Sequence, residues 1–293
     1  MTVGKNILIG ERARIGKNVE IKHGCIIEDD VIIEDDVCID YHSIIKSGTR
    51  LGARVNIGAG CVIGESAITS DSSDTACRET LIIGAESVIR SGSVIYSGSE
   101  IGSHFQAGHH VMIREHTKIG SHVSIGTLSD LEGYCSIGDY VRLHSNVHIG
   151  QKSRIGSFVW IFPYVVLTND PTPPSDNLFG VNVESFAVIA TASVVLPGIR
   201  IGQDALAGAG SVVTKDVDAY MVAAGNPARK ICSVLEVKSK AAMQQVYPWR
   251  EHFERGFPWE NIGFDQWYSQ LDRDEKERLG ITKIERKPLG HED

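Results

Sequence analysis

The chain has 293 residues, with 29 Lys and Arg against 37 Asp and Glu, for a net charge of −8. At 42% hydrophobic and 23% charged residues it has the profile of a folded soluble chain. Its length suits one large domain, with or without an appendage. An acidic chain excludes broad nucleic-acid binding, which needs a basic face for phosphates. No apolar run approaches the ~18 residues of a membrane span, and the opening MTVGKNILIG lacks a signal peptide's apolar stretch, so a cytoplasmic protein is expected. The six cysteines form no CxxC pair and read as reduced small hydrophobes. Glycine is the outlier at 30 residues, too many for packed helices and too few for collagen.

In chain order, Ile9 begins a series in which every sixth residue is aliphatic: Ile15, Ile21, Ile27, Ile33, Ile39, Ile45, Leu51, Ile57 and Ile63. Glycine often follows the anchor, as at Gly10, Gly16 and Gly52. Four residues after each anchor stands a small or β-branched residue such as Val19, Cys25 or Val31. The series resumes at Ile83, runs to Leu167 with Ala107 as its one weak anchor, and returns from Ile189 to Val213. Period six matches neither a helix nor simple strand alternation; it fits a short strand plus a turn, three of which close a triangular coil. The anchor and the small residue are expected to face inward, with glycine easing a corner of positive φ. Ten coils stacked at the usual strand spacing reach roughly 48 Å. Cys25, Cys61 and Cys135 fall on the inner small position.

Two insertions break the count, at 65–81 and at 168–187, and loops that a strict solenoid does not need are usually functional. The SDSSDT stretch and Arg78 of the first suit a polar ligand such as a nucleotide. The repeat domain is expected over 1–231, with a helical cap or extension over 232–293 that includes an amphipathic helix from Phe264 to Leu279, stopped by Gly280.

The repeat resembles that of the hexapeptide-repeat acyltransferases, which implies an all-β, left-handed parallel β-helix. AGHHVMIREHTKIG at 107–120, HSNVHIG at 144–150, the loop beginning LTNDPTPPS at 167 and AGAGSVVTKDV…VAAGNPARK at 207–230 look like nucleotide-sugar N-acetyltransferases. That resemblance implies transfer from acetyl-CoA, or another acyl-CoA, to the amino group of a nucleotide-diphosphate amino sugar, without a metal. It also implies a homotrimer whose sites lie between subunits.

Residues 18 apart lie one coil above another, so His110, Leu128, Asn146 and Tyr164 form one column, and His109, His110, His144 and Asn146 share a corner. The next corner carries Tyr96, Arg114, Glu115, Glu132 and the root of the second loop, with Asn169 and Asp170. A neutral imidazole can take the proton from an attacking amine. The resemblance places His109 in that role through its GH…IRE setting, although His110 follows it directly and remains an alternative. Asn146 can fix the amine or the thioester oxygen, while Arg114, Glu115, His144, Tyr164, Asn169 and Asp170 are candidate sugar-binding residues. Ala207, Gly208 and Ala209 leave room for a pantetheine arm, and Lys215, Arg229 and Lys230 are candidate partners for coenzyme A phosphate. O-acetylation of a sugar or small alcohol is the alternative within the same chemistry. A zinc enzyme like the γ-class carbonic anhydrases and a non-catalytic scaffold are the readings outside it.

Overall fold

The computed structural model describes residues 2–67, 79–239, 241 and 243–281. Most of the first insertion, including SDSSDT, Cys77 and Arg78, lies outside the described residues. Each hexapeptide forms a strand of about two residues followed by a turn, and successive strands build three parallel sheets of 13, 11 and 10 strands. We call these the first, second and third faces, beginning at Thr2–Val3, Leu8–Ile9 and Arg14–Ile15. Register is held at 18 residues per coil, as in Ala107 beside Ile125 and Ile125 beside Leu143. The third face has ten strands, so ten coils are complete, and the other two faces run slightly beyond them.

The anchors form one continuous core: Ile39, Ile45, Ile63, Ile89 and Ile149 are fully buried, and so is the weak anchor Ala107. Burying each such aliphatic side chain contributes roughly 1.5–3 kcal/mol. Cys25, Cys61 and Cys135 lie in the same core, where burial pushes the Cys135 thiol up to about 11.

Three expectations need correction. Apart from Gly64, the glycines that directly follow the anchors are not the positive-φ residues. A Cβ at Gly108 would lie 2.4 Å from the Thr127 nitrogen, and one at Gly126 would lie 2.3 Å from the Ser145 nitrogen, so glycine is needed there for the close approach of the next coil. Positive φ falls two residues later, where glycine does carry it at positions such as Gly24, Gly60, Gly92 and Gly210, but where non-glycine residues such as His110, Leu128, Asn146 and Tyr164 carry it as well. The second insertion is also shorter than the reading gave, because Asn182–Val183 already pairs with Arg154–Ile155 and Val183 is a buried anchor. Finally, Phe264–Leu279 is two helices rather than one. Helix α1 (Phe264–Gln270) ends where Leu271 turns extended, and Asp272 and Glu275 form a capping box that starts α2 (Arg273–Arg278).

The solenoid closes at Met221–Gly225, which pairs in parallel with Leu206–Ala207 and then doubles back as an antiparallel hairpin with Ala228–Ser233. Beyond it the chain returns along the outside. Trp249, Phe257, Trp259 and Trp267 pack on Phe158 and Phe186, the upper members of a ring ladder that climbs the corner between the third and first faces. The buried Arg250 guanidinium pairs with buried Asp204, and Trp249 Nε1 donates to the Phe186 carbonyl at 2.8 Å.

Candidate active site

The corner between the first and second faces is built from turns stacked 18 residues apart. The His109 N–H donates to Thr127 Oγ1 at 3.2 Å, and the His109 carbonyl accepts from the Leu128 N–H at 2.9 Å. Stacking therefore holds the His109 backbone in place and leaves its imidazole exposed. With side chains absent at Gly108 and Gly126, a groove of about 420 Å³ opens beside this corner and across the first face. Its walls include His109, His144, Arg90, Arg142, Thr127 and Trp160.

His144 is half-buried, stacked on Phe162 at 4.7 Å and tilted against Trp160 at 5.9 Å. Burial lowers its pKa, so it is held neutral, and among the described residues its Nε2 has no hydrogen-bond partner. The Trp160 Nε1 is likewise unpartnered. His110, Asn146 and Tyr164 stand on the same corner but do not line the groove. The His110 ring turns back over Gly92 of the preceding coil, where a Cβ would meet its Nδ1 at 2.3 Å. The structure thus brings His109 and His144 together and sets His110 apart.

The corner between the second and third faces gathers a different set. Arg114 makes two 3.1 Å hydrogen bonds to Glu115, whose side chain is buried, and lies 5.7 Å from the centre of the Tyr96 ring. Asn169 Nδ2 donates to Glu132 at 2.8 Å. On the adjoining second face His148 places Nδ1 3.3 Å from Asp130 and Nε2 3.6 Å from Glu132. Hydrogen bonding to Asp130, reinforced by the Glu132 charge, raises the His148 pKa. Asp170 is occupied within its own loop: it accepts from the Thr172 and Ser175 N–H groups and, at 2.6 Å, from the Ser175 hydroxyl, which lowers its pKa. His144 and His148 therefore sit on different walls. Among the described residues no three His, Cys, Asp or Glu side chains are placed to hold a metal ion, and no helix is long and apolar enough to cross a membrane.

At the top of the solenoid a second groove, of about 200 Å³, is walled by Lys215, Ala223, Ala228, Arg229 and Lys230, together with Asp216 and Asp218. Lys215, Arg229 and Lys230 are exposed, and among the described residues the Arg229 guanidinium hydrogen-bonds only the Ala228 carbonyl, at 3.1 Å. Ala207 faces the core, so only its backbone is available to a ligand. Gly208 is closed over by Ala224, and Ala209 is exposed.

The profile described as the hexapeptide repeat of succinyl-transferase matches residues 6–40, 30–65 and 178–215. Those stretches carry the hexapeptide repeat that the profile describes. It is 27% identical over 131 residues to a chloramphenicol acetyltransferase of Agrobacterium fabrum, covering 42% of this chain and 59% of that protein. It is 33% identical over 93 residues to a 2,3,4,5-tetrahydropyridine-2,6-dicarboxylate N-acetyltransferase of Staphylococcus aureus, covering 32% and 33%. The chain thus spans between about a third and three fifths of the length of these curated relatives. Among solved structures it is similar to the UDP-N-acetylglucosamine acyltransferase of Campylobacter jejuni, at 15% identity and a TM-score of 0.44, covering 95% of this chain and 94% of that one.

Sequence reasoning missed Arg90, Arg142 and Trp160. Arg142 and Trp160 stand 18 residues apart, each just before a buried anchor, on the outer surface of the first face. Extending the column arithmetic to the residue before each anchor would have found those two, and carrying the Gly108, Gly126, His144 column one coil down would have found Arg90.

Proposed function

We propose that the chain is an acyl-CoA-dependent N-acyltransferase that acetylates the amino group of a nucleotide-linked amino sugar. The observation that carries this reading is the groove beside the first corner of a hexapeptide solenoid, where an exposed imidazole, His109, faces polar and cationic walls. The acetyltransferase names of the relatives at 27% and 33% identity, and the GH…IRE and GNPARK segments, support the same reaction class.

In this reading the amine nitrogen attacks the thioester carbonyl of acetyl-CoA, and the tetrahedral adduct collapses with loss of coenzyme A thiolate. His109 takes the amine proton, directly or through water, and returns it to the departing sulfur. His144, kept neutral by burial, lines the wall opposite solvent, and Asn146 on the next-but-one turn positions the sugar at the mouth of the groove. Arg229 and Lys230 at the terminal hairpin bind coenzyme A phosphate, with the arm passing the exposed Ala209. Three copies around an axis would let Arg114, Glu115, Tyr164 and Asn169 of the outer walls complete each cleft. Incubation with acetyl-CoA and a panel of amino-sugar nucleotides should release thiol only when the amine is present. Release that is independent of the acceptor amine would overturn the reading.

A further inference from the structure

Arg90 and Arg142 are cations of the groove, and among the described residues they contact backbone carbonyls and one ring. Arg90 Nη1 donates to the Ala107 carbonyl at 3.2 Å, leaving the rest of an exposed guanidinium unused. Arg142 donates to the carbonyls of His122 and Gly256 and lies 5.4 Å from the Phe257 ring centre. Among the described residues neither forms an ion pair with a carboxylate, although acids outnumber bases across the chain and Arg12, Arg54, Arg114 and Arg200 are each paired with one. Burial even lowers the pKa of Arg142, the cost of holding a cation there without a counter-charge. The same walls present the Ser124, Thr127 and Ser145 hydroxyls, no Asp or Glu, and the buried, unpartnered Nε2 of His144. A groove with two guanidiniums, three hydroxyls and no acid is complementary to an anion with several acceptor oxygens.

We propose that Arg90 and Arg142 clamp a phosphate-bearing ligand in this groove, and that the ligand is the diphosphate of the nucleotide-linked acceptor. The assignment to the acceptor rests on the function proposed above; the phosphate site itself does not. The two arginines lie on strands three coils apart, about 14 Å along the axis at the usual strand spacing. Arg90 donates up one coil to the Ala107 carbonyl and Arg142 down one coil to the His122 carbonyl, and both line the groove, with His109 on the turn beside it. Holding the diphosphate there fixes the sugar end of the acceptor at the first corner. Arg142 is itself fixed by the returning C-terminal segment through Gly256 and Phe257, so that segment helps to set the upper end of the clamp.

The test is direct binding by calorimetry of two probes, uridine diphosphate and coenzyme A, to the full chain and to Arg90→Gln, Arg90→Lys and Arg142→Gln. Because Arg142 also braces the C-terminal segment, the decisive variant is the exposed Arg90, with thermal midpoints recorded for all. Losing a charge-assisted contact should weaken uridine diphosphate by about 10- to 100-fold in Arg90→Gln. Arg90→Lys should recover part of that loss, coenzyme A should change less than twofold, and inorganic pyrophosphate should compete with the nucleotide. Unchanged nucleotide affinity in Arg90→Gln would overturn the clamp, and loss of coenzyme A binding alone would show that the groove serves the donor instead. Arginine-dependent nucleotide binding without acetyl transfer to any amine would leave the clamp standing and remove the acyltransfer reading.

Discussion

Replacing Arg250 by Met should detach the C-terminal segment from the solenoid at one defined point. The Arg250 guanidinium is buried over the rings of Phe186 and Phe264, at 4.7 and 4.8 Å, and is paired with Asp204, which is 2% exposed. Methionine preserves most of the packing volume but leaves the Asp204 carboxylate buried with only the neutral groups of Gln203 and Tyr220 beside it among the described residues. Breaking one side of a buried pair costs about 3–5 kcal/mol, which at this chain length lowers the thermal midpoint by on the order of 10 °C. Burial already holds the Asp204 carboxyl above its ordinary pKa, and without Arg250 it rises further. A raised carboxyl favours the folded state below the ordinary value of about 4 and loses that contribution as pH rises through the folded value. The deficit of Arg250→Met is therefore smaller at acid pH than at neutral pH. All four tryptophans of the chain, Trp160, Trp249, Trp259 and Trp267, lie in or against the aromatic cluster that Arg250 pins, so their fluorescence reports this docking during urea unfolding. Adding Asp204→Leu should recover most of the loss. A single variant within about 1 kcal/mol of the parent, or a double variant no better than the single one, would refute the reasoning.

His109→Ala should lower the turnover number by ~10²–10⁴-fold with a modest change in KM, the signature of losing a general base; steady-state kinetics over both substrates check this, and near-parent turnover would remove His109 from that role. Arg229→Ala should raise the KM for acetyl-CoA far more than that for the sugar, because its exposed guanidinium has no acidic partner to satisfy first; equal effects on both would reject the assignment. The raised pKa of His148 makes a contribution to stability that is present below about pH 6.5 and lost as pH rises through the folded value. Asp130→Asn should therefore flatten the fall in urea midpoint above that pH, and an unaltered slope would contradict the pairing. In solution the chain should sediment at three times its own mass, and a monomer with full activity would refute shared clefts.

The solenoid was legible because its core imposes a hard constraint at one position in six: a buried aliphatic residue such as Ile39 or Ile149 tolerates neither a charge nor a slip in register. That periodicity also placed His109 and His144 on one corner by counting alone. It said less about the turns. The residue with positive φ is chosen by local backbone geometry rather than by burial, so Asn18, His110 and Leu128 can all occupy it, and no sequence signal marks it as strongly as a glycine would. The outward residues of the faces are free to vary, which is why Arg142 and Trp160 looked like ordinary surface positions until the C-terminal segment was seen to cross them. That segment has no repeat, and the Asp272 capping box that divides its helices acts through two side chains whose helix-starting role the amphipathic pattern concealed.

In the proposed function an acetyl group moves from a thioester to a sugar nitrogen under the control of His109. Mass spectrometry of single-turnover mixtures containing isotopically labelled acetyl-CoA and amino-sugar nucleotides tests it most directly, with the parent chain run beside His109→Ala. The account predicts label on the amino nitrogen, stable to hydroxylamine and formed far more slowly by the variant. Label on an oxygen, or no transfer to any acceptor in the panel, would contradict it.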